Sequence, residues 1–382
     1  MKKRQWMVGA LSGVLALLSA GGTALAAETI KVGTFLSVTG PASFLGDPEL
    51  RTMQMYIDEV NAEGGVDGRQ VELVHYDTGG QAKEAVGFVK RLIQKDRVHV
   101  IVGGSTSGST IAVMPEVEKA GIPLISLAGA VQIIEPVNKW VFKTPHTDRM
   151  AAAKIFEDMK SRGISKVALI TGDGGFDKSG RAQTLDLAPE YGMEIVADES
   201  YSNSDSDMTA QLTNIRGTDA EALLNFGFGA APAIVTKNAR QLGLDLPIYQ
   251  SHGVASKKFI ELAGDAAEGV RLPAAALVVA EQLPDSDPQK PVLMEYKTRY
   301  EAEHGPVSTF GGHAYDGLFI ALNAIERAGS LDGEAIRAEI ENTRDFIGTG
   351  GVFNMSAEDH LGLDLDAFKM LEIQDGGWTI VE

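Results

Sequence analysis

From Glu28 onward, short apolar runs rich in β-branched residues alternate with amphipathic stretches of helical period. That alternation restricts the chain to an α/β architecture with parallel strands and helices on both faces of each sheet. IKVGTFLSV (30–38), RQVELVHYD (69–77), VHVIVGG (98–104) and IPLISLAGA (122–130) read as strands. Between them lie the helical stretches 50–65, 81–96 and 109–120. After KWVFKTPHTD (139–148) the pattern starts again, with strands at 165–173, 193–201, 221–229 and 246–253. The helices of this second series cover 149–163, about 177–191, 208–218 and 231–243. Two doubly wound parallel-sheet lobes in tandem are expected. The remaining stretch, about 276–382, is too poor in elements for a third core and is shared between them.

The first 27 residues are expected to be a cleavable leader and not part of the fold. Lys2, Lys3 and Arg4 precede the apolar Trp6–Leu18 run, and Ala24-Leu25-Ala26 is a small-x-small cleavage site. The chain has no cysteine, which excludes a lipid-anchoring lipobox, disulfides and thiolate metal sites. Its formal net charge is −18, and loss of the three leader cations makes it more negative still. Such a charge disfavours nucleic acid and anionic lipid as partners. It also means that an anionic ligand must be held by local dipoles against the global field.

One turn is suited to that task. Gly103-Gly104-Ser105-Thr106-Ser107-Gly108-Ser109-Thr110 joins a fully apolar strand to a helix. Hydroxyls and free backbone N–H groups at a helix N-terminus cradle a small anion such as a carboxylate. N-capping by one serine or threonine is the ordinary alternative. Ligands of open parallel sheets sit at the carboxyl ends of strands. The hydroxyl-rich turn, Ser126–Ala130, the 172–180 loop, Asn225–Gly229 and Ser251-His252-Gly253 all occupy such ends.

Other chemistries fit poorly. GDGGFDKSG (172–180) is glycine-rich, but it lacks the Lys-Ser/Thr ending of a phosphate loop and its aspartates repel phosphate. DESYSNSDSD (198–207) lacks EF-hand spacing and reads as a solvated loop. The seven histidines, at 75, 99, 146, 252, 304, 313 and 360, form neither an HExxH nor a GxSxG arrangement. No catalysis, metal or cofactor is expected. His313, Tyr315 and Asp316 read as structural residues at a helix start.

Longer stretches carry a resemblance. VGTFLSVTGPASFLGDPEL, NAEGGVDGRQVELVHYD, VIVGGSTSGST, AGIPLISLAGA, ELAGDAAEGV (261–270) and GGHAYDGLFIALNAIERAG (311–329) span the chain beyond the leader. In these the sequence resembles the periplasmic type I solute-binding proteins of ABC importers, in the Leu/Ile/Val-binding branch. The resemblance implies two lobes joined by a three-strand hinge, 28–147 plus 276–348 and 148–275 plus 349–382. It implies a ligand captured between them by hinge closure, delivery to an inner-membrane permease, and no catalysis. A monomer in the periplasm is expected.

Residue by residue, the resemblance implies an α-carboxylate held at Ser107 within the Ser105-Thr106-Ser107 turn. It implies assistance from the Ala128-Gly129-Ala130 strand end, with a backbone amide at Gly129 and a hydroxyl where this chain has Ala130. Phe228 faces the cleft, Phe176 replaces a frequent tyrosine, and Leu45, with Phe44 beside it, replaces a frequent aromatic. The family's carboxylate for an α-ammonium falls where this chain has His252. A buried ammonium without an anionic partner is costly, and histidine supplies no negative charge. The expected ligand is therefore a small carboxylic acid without that ammonium, an aromatic acid of the benzoate or phenylpropenoate class. A branched-chain or other amino acid is the alternative, and a ligand-sensing partner of a receptor the lesser one.

Overall fold

The computed structural model describes residues 28–381; the expected leader lies outside the described residues. The chain opens with β1 (Ile30–Leu36), α1 (Ser43–Ala62), β2 (Val71–Asp77), α2 (Ala82–Arg91), β3 (Val100–Gly103), α3 (Ser107–Ala120), β4 (Leu124–Ser126) and β5 (Val141–Lys143). A second series follows: α4 (Asp148–Ser161), β6 (Lys166–Thr171), α5 (Gly175–Tyr191), β7 (Glu194–Ser200), α6 (Thr209–Arg216), β8 (Ala222–Phe226), α7 (Ala231–Gln241) and β9 (Ile248–Gln250). Then come α8 (Lys257–Ala263), β10 (Arg271–Ala275), α9 (Lys290–His304), α10 (Thr309–Ala328) and α11 (Gly333–Glu341). Four more strands follow: β11 (Phe346–Ile347), β12 (Val352–Phe353), β13 (Phe368–Gln374) and β14 (Gly377–Ile380).

The first sheet runs β2-β1-β3-β4-β5, all parallel. In the second, of order β14-β13-β10-β9-β8-β6-β7, the last two chain segments return antiparallel along one edge. The expected α/β class with two parallel-sheet lobes is therefore what the chain adopts. The sequence reading missed β5: its three residues end in a lysine, and an apolar run that short has no period to detect. In each lobe the first strand lies between the second and third, β1 between β2 and β3, and β6 between β7 and β8. The loops after β1 and β3, and after β6 and β8, therefore leave in opposite directions. They open a crevice at the carboxyl ends of those strands.

Each sheet is covered on both faces. One side of the first sheet packs on α1 and α10 through Met53, Tyr56, Leu318 and Ile325, the other on α2 and α3 through Val89, Val113 and Val117. Ala276 and Leu277, just past β10, already lie in the first lobe's core. Phe353 and Met355 lie there too. The final crossing to the second sheet thus falls shortly before Phe368, beyond the expected position 349.

Asp316 anchors that returning segment. It is fully buried on α10, and its carboxylate accepts from the N–H of Thr349 at 2.6 Å, the N–H of Gly350 at 2.8 Å and Oγ1 of Thr349 at 3.0 Å. The structural role read for it in the sequence matches this geometry. Asp316→Ala strands two buried backbone donors, and urea unfolding is expected to show a loss of about 3 kcal/mol. A loss below about 1 kcal/mol would mean that the segment is held by its apolar contacts alone.

Candidate functional site

The loops at the strand ends enclose an interlobe cavity of about 480 Å³. That volume suits a small organic acid and lies within the range of roughly 300–1,000 Å³ common for ligand pockets. From the first lobe, Leu45, Ser105, Thr106, Ser107, Leu127 and Gly129 face it; from the second, Phe176, Phe228 and His252 do. The lobes are closed. A Cβ built at Gly175 would lie 3.0 Å from the backbone nitrogen of Gly108, and one built at Gly129 would lie 2.7 Å from Cε2 of Phe176.

At the hydroxyl-rich turn, capping and ligand-facing roles are divided among neighbours. Thr106 is the N-cap of α3: its Oγ1 accepts from the Ser109 N–H and donates to Ser109 Oγ. Ser105 accepts from the Ser37 N–H and donates to buried Glu49. Thr110 is tied to Gly104 and Ser126. Ser107 differs, because its Oγ accepts from the Ala130 N–H at 3.2 Å and its own hydrogen remains free to donate. Behind it the first turn of α3 carries no acidic side chain to cancel the helix dipole.

The nearby strand end is used otherwise than expected. Ala128 and Ala130 are buried outside the cavity lining, the amide of Ala130 being taken by Ser107. Gly129 and Leu127 line the cavity. Phe44 also stands behind the wall, its ring edge-on to Phe310 at 5.6 Å and 6.3 Å from Phe228. Phe310, which no motif singled out, is the aromatic that faces the cavity from the first lobe.

The far wall is aromatic. The Phe176 ring meets Phe228 at 6.4 Å and His252 at 5.2 Å, both edge-on. His252 is buried, and desolvation and the charge of Lys143 lower its pKa to about 3. His313 lines the cavity as well, contrary to its expected exclusion, and the same two causes lower it to about 3. Both rings are therefore neutral at physiological pH, and Nδ1 of each has no hydrogen-bond partner among the described residues. The sequence offered no signal for His313, because α10 reaches the cleft from a segment some sixty residues later than the second lobe's own loops.

Among the described residues, no aspartate or glutamate lines the cavity. Glu49, below Ser105, is pushed well above the usual carboxylate range by burial, and burial raises Asp177, near the start of α5, to about 6. Both shifts favour the neutral acid. The cavity thus combines a free hydroxyl donor, a helix N-terminus and two neutral imidazoles with apolar walls. That set is chemically suited to a carboxylate and an apolar body.

A chain from Pseudomonas aeruginosa, the leucine-, isoleucine-, valine-, threonine- and alanine-binding protein, is 26% identical over 350 residues, 90% of this chain and 91% of that one. An extracellular ligand-binding receptor from Rhodopseudomonas palustris HaA2 superposes with a TM-score of 0.86 at 27% identity, covering 93% of this chain and all of that one. The branched-chain amino acid transporter substrate binding protein LivJ of Streptococcus pneumoniae, solved with isoleucine, gives a TM-score of 0.81 at 26% identity, covering 93% of this chain and 99% of that one. These relatives are named as binding proteins, not as enzymes. The sequence profile described as "Periplasmic binding protein" matches residues 29–376, and the chain belongs to that family.

Proposed function

We propose that this protein captures a small carboxylic acid between its lobes in the periplasm and delivers it to an inner-membrane permease of an ABC importer. The observation that carries the reading is Ser107 at the start of α3, whose hydroxyl hydrogen is free to donate and which lines a cavity without acidic residues among the described ones. Hinge closure follows from the two-lobe architecture, since a ligand touching both walls favours the closed form.

Two ligand classes compete. Two of the relatives above are named for branched-chain amino acids, and on that ground a branched-chain amino acid is the better-supported ligand. In this chain its ammonium would be met by neutral acceptors, the unpaired Nδ1 atoms of His252 and His313. The aromatic acid expected from the sequence draws nothing from the relatives' names. It keeps one observation in its favour, the missing anionic partner for an ammonium.

Thermal-shift measurement on refolded, ligand-stripped protein separates them. The panel is leucine, isoleucine, valine, benzoate and cinnamate. A ligand at a hundredfold excess over Kd stabilises by about 2.7 kcal/mol. Shifts confined to the amino acids establish the first class, and shifts confined to benzoate or cinnamate the second. No shift with any of the five would sink the carboxylate reading.

A further inference from the structure

Lys143 ends β5 and is completely buried. Its Nζ donates to the carbonyl oxygens of Gly129 at 3.0 Å and His146 at 3.3 Å. Asp148 and Glu135 act on it through space without hydrogen-bonding it. Asp148 Oδ1 accepts from the N–H groups of Val131 and Arg149, and Glu135 is paired with the Arg149 guanidinium. A buried cation left without a paired anion is costly, which calls for a compensating role.

The peptide between Gly129 and Ala130 shows what that role is. Its carbonyl oxygen faces the Lys143 ammonium, and its N–H donates to Ser107 Oγ. Ammonium, peptide and serine hydroxyl form one line in which each donates to the next, and the last donor is free at the cavity wall. Chained donors polarise one another, and in a low-dielectric interior the charge at the head of the line is felt at its end.

We infer that Lys143 is a positioning residue for anion capture, supplying from behind the cavity wall the positive charge that makes the Ser107 anchor prefer a carboxylate to a neutral ligand. The inference rests on the carboxylate reading of the cleft. It explains how a chain of net charge −18 could hold an anion with no lysine or arginine lining the cavity among the described residues.

Burial also brings the Lys143 pKa from 10.5 down to about 7. A bound carboxylate favours the charged amine, so binding takes up a proton near neutrality and affinity falls as pH rises. The other groups facing Lys143 are Asp148 on α4, Glu135, His146, His252 from the second lobe and His313 on α10. The three imidazoles are held neutral by burial, and all five groups persist in a Lys143 variant.

Lys143→Met is the test. It leaves neither carbonyl unpaired, because Gly129 O still accepts from the Asp148 N–H at 3.0 Å and the His146 backbone still bonds His252. Without ligand, the full-length variant should melt at or above the wild-type temperature. By calorimetric titration its affinity for whichever panel acid the wild type binds should fall about 30-fold. Its affinity for the corresponding amide, leucinamide or benzamide for example, should be unchanged. Wild-type affinity should fall by up to about tenfold per pH unit above neutrality, while the variant's profile stays flat. Binding within about threefold of wild type, or a flat wild-type pH profile, would overturn the inference and leave the carboxylate reading standing. A wild type that binds none of the five acids overturns both.

Discussion

Ser107→Asp is expected to abolish ligand-induced stabilisation while leaving the fold intact. The new carboxylate stands where the proposed reading places the ligand's carboxylate, at roughly 4 Å, where two like charges repel by about 4 kcal/mol at the effective dielectric of a partly buried site. That is a loss of about a thousandfold in affinity. The same substitution places an acid in the first turn of α3, which has none, and a negative charge there favours the helix. Melting without ligand should therefore be unchanged or slightly higher. Ser107→Ala is milder: it removes one hydrogen bond to a charged group, about 1.5–3 kcal/mol, and strands the Ala130 N–H. If the aspartate variant still binds a panel acid with wild-type affinity, the anchor lies elsewhere in the cavity.

Gly129→Val should hold the protein open. The present backbone brings Gly129 against the second lobe so closely that a Cβ would lie 2.7 Å from Phe176 and 3.0 Å from His252 Nε2. Those neighbours are ring atoms buried on the opposite wall, and they yield only if the lobes separate. Opposing closure by about 3 kcal/mol lowers affinity by more than a hundredfold, because the ligand must first restore the disfavoured state. Small-angle scattering reads this directly. Wild type should contract when saturated with its ligand, and the variant should keep the same radius of gyration with and without it. Contraction in the variant would show that the wall adapts around the added side chain.

Much of this molecule was legible before its fold was known. The strand and helix series followed from periodicity, which local sequence encodes; the hydroxyl-rich turn stood out by its chemistry, and the family resemblance singled out Ser107 within it. Within that turn all three hydroxyl residues line the cavity, but their roles differ. Ser105 and Thr106 carry the same hydroxyl as Ser107, but hydrogen bonds to Glu49 and Ser109 consume theirs. Ala128 and Ala130 were one residue out of phase with Leu127 and Gly129, since neighbouring residues at a strand end face opposite ways. Phe44 and Phe310 exchanged places for a similar reason: two helices distant in sequence compete for one wall, and packing decides which ring faces the ligand.

By itself, the sequence determined the α/β class, the two tandem lobes and the strand ends that line the interlobe cavity, because hydrophobic period and turn chemistry are local properties. Tertiary structure alone decided that Lys143 lies behind the Ser107 anchor, that His313 shares the wall with His252, and that both imidazoles are neutral. Those are consequences of burial and of juxtaposition across β5, α10 and the second lobe. The charge state of a buried group depends on which dipoles and charges surround it, and no spacing along a chain records that.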